Sequence, residues 1–345
     1  MIRPFHGFAI VTLGIAAACA AIPSGNPAVE VAASAETLPV GTVNADAADD
    51  PAIWRNSADP AKSLIIGTDK RAGLYVYDLT GKQLSFLSAP GLNNVDLVEV
   101  EGFPIVVASD RSDPENAHLF LSVMNPSTGE LALLERIPVG AGEGYGVCLG
   151  APSQERSFLA FSAPKNGTIF KTTITEDEDG KIAHQTSVLT SVPSQPEGCV
   201  VDDRTNTLYV GEEAAGIWAI DIETGEKTLV APTGTGMTVA DVEGLALAPE
   251  GEDGGYLVAS SQGDNAYAVY LLPDMTPLGR FRIAEGDFGA TEETDGIALD
   301  PRDFGPDFPA GLFVAQDGVN PPNAQNFKLV RWDSVLGALE NKPGE

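Results

Sequence analysis

The chain is short of the residues on which most hydrolytic and redox sites are built. Of its 345 residues, three are cysteine and three are histidine. His6 lies in an apolar leader, and neither His118 nor His184 has a partner at zinc-ligand spacing. The chain has no G-x-S-x-G elbow and no GxxxxGK[ST] loop, and neither Cys148 nor Cys199 sits in a phosphate-cradling loop. Nucleophilic catalysis by a side chain therefore has no candidate. Positive charge is scarce as well: 20 Lys and Arg stand against 49 Asp and Glu, for a net charge of −29. A surface of that sign repels nucleic acid and anionic lipid, and it suits divalent cations.

Helical periodicity is weak too. Runs of Val, Leu, Ile and Thr cut by 37 Gly and 25 Pro favour strands and tight turns. At the beginning, Arg3 precedes an apolar stretch from Phe8 to Ala18 that is too short to span a bilayer. Residues 1–19 read as a signal peptide of an exported protein. Its end, Ile15-Ala16-Ala17-Ala18-Cys19, is similar to a lipobox that would place lipid on Cys19. Ala16 stands where Leu is commoner, so plain secretion is the alternative. Residues 20–37, rich in Ala, Pro and Ser, read as a flexible tether to a single folded domain over 38–345. Membrane contact is expected only through Cys19, and the protein is expected to be a monomer. Cys148 and Cys199 are expected as buried free thiols filling the same core position, with a disulfide as the alternative.

What the chain does have is a repeat. From Ser194 onward, Glu197-Gly198 opens an apolar run, a polar turn follows at Asp202–Asn206, and a second run ends on Glu212 and Glu213. Two short apolar runs around a turn read as antiparallel strands. Similar units open at Asp50, Asp96, Tyr145, Glu243 and Asp295, at steps of 46, 49, 52, 46 and 52 residues along the chain. Six units of this length match one four-stranded blade each, predicting an all-β, six-bladed propeller rather than a β-sandwich. Thr42–Ala45 and Phe327–Trp332 flank the units, so a strand from one end completing a blade begun by the other would close the ring. The acidic run Glu176–Asp179 lacks EF-hand spacing and reads as a hairpin turn.

The unit ends carry a pattern of charge. In the first three units the second strand ends on Lys70 and Arg71, on Arg111 and on Lys165; in the last three it ends on Glu213, Gln262 and Asp317. The openings add Asp49, Asp50, Asp96, Glu197, Asp241, Glu243 and Asp295. Equivalent loops of a propeller lie on one face, which would be basic on one half and carboxylate-rich on the other. Clustered carboxylates form oxygen cages suited to Ca²⁺. Cations and calcium together could hold a highly charged phosphate ester, and a metal-bound water would supply the nucleophile. The competing reading ties these carboxylates to backbone amides of turns.

At these residues the sequence resembles the β-propeller phytases, the calcium-dependent alkaline enzymes of 3-phytase type. The matching segments include DDPAIW (49–54), TDKRAGLYVYDLTGK (68–82), NNVD (93–96), SDRS (109–112), SQPEG, DVEGL, SSQG, TDGI, GLFVAQDG and NFKLVRW (326–332), in order along the chain. The resemblance implies several Ca²⁺ ions and hydrolysis of myo-inositol hexakisphosphate (phytate), presented as its calcium complex, and of lower inositol phosphates. It implies phosphate-holding roles for Lys70, Arg71, Arg111, Lys165 and Tyr145 with Asn93 or Asn94. It also implies calcium ligation by Asp49 or Asp50, Glu197, Glu213, Asp241, Glu243, Gln262 and Asp295. Two departures stand out. The segment before TDGI reads GDFGATEE, leaving Asp287, Glu292 or Glu293 as substitutes for the usual aspartates, and Pro196 stands where Thr is common. The rival functions are a calcium-bearing propeller lactonase or esterase and a lipid-anchored propeller that only binds a partner.

Overall fold

The computed structural model describes residues 24–43, 45–154 and 156–341. The expected leader, with Cys19, lies outside the described residues. The strands fall into six sheets, and the innermost strands touch in sequence around a closed ring. Blade 1 is built from Ala48–Trp54, Leu64–Asp69, Gly73–Asp78 and Gln83–Ser88, each antiparallel to the next. Blades 2, 3 and 4 repeat the pattern over 92–141, 146–191 and 196–232. The hairpin turn predicted at Glu176–Asp179 is found over 177–181, joining the outer two strands of blade 3, where the Asp177 carboxylate accepts the amides of Asp179 and Lys181.

The core is divided into six parts, each between two neighbouring blades. Val106 packs into the cluster shared by blades 1 and 2, while Val107, pointing the other way, packs between blades 2 and 3. Leu257 and Val258 divide in the same way between the 4–5 and 5–6 seams. Each middle strand is thus buried on both faces. Two-sided burial explains why the sequence shows continuous apolar runs rather than a strict alternation.

The N-terminal segment departs from expectation. Residues 24–37 do not form a tether: Val29–Ala32 adds a parallel fifth strand to the outside of blade 5, beside Thr276–Ala284, and Ala35–Glu36 pairs with Asn326–Arg331 of blade 6. Val31 and Ala33 are buried there. The Gly25 amide donates to Asp264 at 2.8 Å, and Arg280, itself buried, donates to the Asn26 carbonyl at 2.7 Å. Closure does occur between the two ends of the chain, but through Ala35–Glu36 rather than Thr42–Ala45. Thr42 instead caps Asp69 with its amide and hydroxyl. Asn326–Arg331 is the third strand of blade 6, and Trp332 begins the only α-helix among the described residues, Trp332–Glu340.

The expected pair of free thiols is also corrected, because Cys148 and Cys199 form a disulfide across the seam between blades 3 and 4. They do not share one core position. Cys148 lies three residues after Tyr145 and Cys199 two after Glu197, and that offset faces the two side chains toward each other with Cα atoms 5.7 Å apart.

The N-terminal lash supplies the fourth strand of blade 6 and the Glu36 carboxylate that meets the buried Lys328, so losing it opens the ring. A chain beginning at Leu38 is expected to melt about 10 °C or more below the longer chain in a calorimetric scan. An unchanged melting point would refute the closure assigned to these strands.

Candidate functional site

Six equivalent backbone positions define the face where the inner strands begin. The amides of Lys70, Arg111, Lys165, Glu213 and Gln262 donate to the carbonyls of Ala47, Gly91, Glu143, Gln195 and Asp241, and in blade 6 Gly318 donates to Glu292. Two positions after those carbonyls in the first five blades come Asp49, Asn93, Tyr145, Glu197 and Glu243; Asp295 completes the ring in blade 6. These two concentric sets make the site. The inner residues are aimed by bulges: register slips between Ala48 and Pro51, Leu92 and Val95, Pro196 and Cys199, and Val242 and Leu245. Bulged residues leave the ladder, and their side chains turn up toward the face.

Glycine follows most of the inner positions for a steric reason. A Cβ on Gly146 would come within 2.0 Å of the Glu197 carbonyl, and one on Gly198 within 2.2 Å of the Glu243 carbonyl. Blades 3 to 6 thus each sit backbone against backbone on the next, and the functional side chains are drawn together around the axis.

Two poles result, joined at a seam. On one side Lys70 Nζ lies 2.9 Å from Asp46, 3.1 Å from Asp49 and 3.1 Å from Asp295. Burial opposes its charge, but Asp49, Asp295 and Asp46 outweigh burial and hold the ammonium well above its ordinary pKa. Gln262 donates to Asp295 at 2.6 Å. Arg71 is exposed and donates to the Asp46 carbonyl at 3.0 Å. On the other side Arg111 donates to Asn93 Oδ1 at 2.7 Å and meets Glu143, which also lies 3.5 Å from Lys165. Both cations flank the Tyr145 ring, Arg111 at 5.6 Å and Lys165 at 4.4 Å from its centroid.

Glu197 is the seam between the poles. It accepts from Asn93 at 3.0 Å and bonds to Tyr145 and Glu243. Oxygens of Glu197, Glu213 and Glu243 lie within 4.8 Å of one another. Burial raises the pKa of all three. Glu197 is pushed further up by Asp49, Glu243 by Glu197, and Glu213, with Glu197 and Asp241 nearby, stands at about 7. Burial and the surrounding carboxylates also keep Tyr145 a neutral phenol.

The predicted residues therefore divide. Asp49, Glu197, Glu213, Asp241, Glu243, Gln262 and Asp295 belong to the face, as do Lys70, Arg111, Lys165, Tyr145 and Asn93. Asp50 and Asn94 point instead into the central channel, where Asp50 accepts the Val95 amide at 3.0 Å. Burial and neighbouring Asp49 hold the Asp50 carboxyl well above its ordinary range. Asp96 lies deeper in the channel, with its oxygens taking the amides of Leu97 and Leu149 at 2.7 and 2.8 Å, so it is a tie between blades 2 and 3. Asp317 is one residue out of register, because Gly318 holds the blade 6 position equivalent to Glu213. A one-residue shift reverses the side chain. Asp317 instead pairs at 3.2 Å with Lys328, a fully buried lysine that also meets Glu36 at 2.5 Å. Of the three substitutes before TDGI, Glu292 and Glu293 line a cavity with Gln262 and Asp295, and Asp287 is exposed outside it.

Three residues of the face were not predicted. Gln195 donates to Glu213 at 2.5 Å, Asp46 meets Lys70, and Glu143 joins Arg111 to Lys165. The signal for two of them was present: Glu143 and Gln195 stand two before Tyr145 and Glu197, as Asp241 stands two before Glu243.

A divalent cation fits this oxygen set. Glu243 Oε2 and both Asp49 oxygens are buried without a hydrogen-bond donor in good geometry, although Asp49 lies near the Lys70 ammonium. Buried, unpaired carboxylate oxygens on several strands match the hard, oxygen-rich coordination that Ca²⁺ takes.

Fold and face together define a propeller that gathers basic side chains and a cluster of carboxylates at one end of its axis. Sequence comparison narrows that class: the Phytase family profile matches residues 6–344, and the chain belongs to that family. It is 37% identical over 334 residues to the 3-phytase of Bacillus subtilis (strain 168), a match covering 91% of this chain and 86% of that protein.

Two outcomes follow from this geometry. Raised carboxylate pKa values favour the protonated folded state, so their stabilisation is present below the unfolded value and lost as pH rises through the folded one. For Glu213 that window runs from 4.5 to about 7. In chelator the melting temperature is expected to fall between pH 5 and pH 8, with added Ca²⁺ restoring it most at the alkaline end; a flat profile contradicts the cluster. Asp317→Asn, which breaks a buried ion pair, is expected to cost about 3 kcal/mol of stability. It should leave calcium affinity measured by calorimetry unchanged, and a lost calcium site would return Asp317 to the metal set.

Proposed function

We propose that this chain releases phosphate from phytate and lower inositol phosphates in a calcium-dependent reaction at the ring face. The observation that carries the reading is the segregation of charge within one ring. Cations occupy the outer positions of blades 1 to 3, and Glu213 and Gln262 those of blades 4 and 5. Membership of the phytase family supports the reaction, and the unpaired oxygens of Asp49 and Glu243 support the metal.

Lys70 at one pole and Arg111 with Lys165 at the other offer two places for phosphate groups on neighbouring ring carbons. Charge-assisted bonds from these cations suit phosphate oxygens, and Arg111 is set for two parallel contacts. Tyr145 spaces Arg111 and Lys165, and as a neutral phenol it donates to Glu197 rather than competing for the metal. Glu197, Glu213, Glu243, Asp49, Asp295, Asp241 and Gln262 would hold calcium between the poles. When bound, calcium neutralises phosphate charge and makes water acidic enough to serve as a nucleophile near neutral pH. Glu213, with a pKa near 7, and Glu197 are placed to accept a proton or hold an ion as the local charge changes. One phosphate anchored at a pole would fix the inositol ring while its neighbour meets the carboxylate cluster. The leader-like start of the chain and the Cys148–Cys199 disulfide support export to an oxidising compartment, with lipid on Cys19 or plain secretion.

Phosphate release from calcium phytate at mildly alkaline pH, with and without chelator, tests the reaction. Release in calcium and loss in chelator are expected; activity that survives chelation overturns the metal role. Arg111→Ala and Lys165→Ala should each raise KM about tenfold or more without unfolding, the loss of one charge-assisted contact. Glu213→Gln should lower kcat by about a hundredfold and shift the calcium dependence. Near-normal kinetics in all three would sink the residue assignment.

A further inference from the structure

We propose that Glu143 is an internal stand-in for the substrate's phosphate, occupying the Arg111–Lys165 anchor whenever the anchor is empty. The inference rests on the phosphate-binding role proposed above for those two cations. Glu143 lies in the link between the last strand of blade 2, which ends at Ala141, and the first strand of blade 3, which begins at Gly146. One of its carboxylate oxygens, Oε1, meets the Arg111 guanidinium and lies 3.5 Å from Lys165 Nζ. A single carboxylate oxygen thus takes the place between two cations from different blades that a phosphate oxygen would take. Its side chain is about a quarter exposed, at 26%, so an arriving anion reaches the same cations from solvent and displaces it outward.

The backbone beneath it is fixed. The Glu143 carbonyl accepts the Lys165 amide at 3.1 Å, and Gly144 lies so close to blade 2 that a Cβ there would come within 2.4 Å of the Asp110 carbonyl. Only the Glu143 side chain is left to swing. The cations do not need it to stay in position. Tyr145 flanks both, and Asn93 Oδ1 holds Arg111 at 2.7 Å. Glu143 therefore neutralises the pair in the resting state and competes with any anion that enters.

The competition has two consequences. Apparent affinity at the anchor is lowered by the fraction of molecules in which Glu143 is swung away. A weakly charged anion displaces it poorly, while a polyanion that also engages Lys70 displaces it well, so Glu143 sets the anchor to prefer highly phosphorylated substrates. Its return to Arg111 and Lys165 after reaction would push the freed phosphate out. By this account Glu143 is a specificity and positioning residue rather than a catalytic one.

Glu143→Gln keeps the shape and removes the charge. Its binding of myo-inositol hexasulfate, a polyanion of similar shape, is to be compared with wild type by calorimetry in calcium. Competitive inhibition by inorganic phosphate is to be measured in parallel. Hexasulfate Kd and phosphate Ki are both expected to tighten, Ki by about fivefold or more. Phosphate, with no contact at Lys70, should gain the larger factor. Unchanged or weaker binding in Glu143→Gln overturns the proposal and makes Glu143 a brace for the cations. If the variant fails to fold, Glu143→Ala replaces it with the same two readings. Tightened hexasulfate binding alongside a wild type that releases no phosphate from calcium phytate would preserve this inference while ending the phytase reading.

Discussion

Ionised carboxylates repel one another strongly where water is scarce, and the upper face of this propeller is arranged around that repulsion. Asp49, Glu197, Glu243 and Asp295 are brought to the axis by four different blades and are each mostly buried. Such a group remains compact only if protons, cations or both neutralise it. Lys70 is enclosed among three carboxylates for this reason, and Glu197 and Glu243 share a hydrogen bond that raises the pKa of Glu243. A bound divalent ion would replace those protons. The same repulsion between buried carboxylates would favour a bound cation at this face.

The fold supplies the convergence through two backbone devices. Bulges at the inner-strand openings of blades 1, 2, 4 and 5 each release a residue from the ladder, and close backbone contact between blades brings the inner residues near a common axis. Neither device needs the functional side chains. The ring can therefore carry an acid, an amide or a phenol at equivalent positions, as Asp49, Asn93 and Tyr145 show. The outer set varies independently, from lysine and arginine through glutamate to the glycine of blade 6.

Blade 6 illustrates how structure and chemistry are kept apart. Buried Asp317 and Asn326 and the partly exposed Glu36 surround the Lys328 ammonium, so the closing seam is neutralised by a covalently attached cation rather than by an ion from solution. The N-terminal lash that carries Glu36 also covers blade 5 and meets the buried Arg280–Asp264 pair. Ring closure thus involves two buried cations, Lys328 and Arg280, each paired with carboxylates.

The repeat length, the paired apolar runs and the acid-glycine openings sufficed for six blades, because a four-stranded unit of this size leaves few other architectures. They also sufficed for the division of cations from carboxylates, since equivalent positions of a propeller must share a face. Register could not be read at that level. Asp49 and Asp50, Asn93 and Asn94, or Asp317 and Gly318 are adjacent in the chain, yet strand geometry sends neighbours to opposite sides, and the bulges in blades 1 and 2 and the strand end in blade 6 decide which one reaches the face. The choice of the disulfide over free thiols, and the N-terminal lash, could not be read for a related reason. Both depend on contacts between segments far apart in sequence, where a one-residue offset between blades turns two cysteines toward each other and a polar, proline-containing stretch gains strands only from edges already in place.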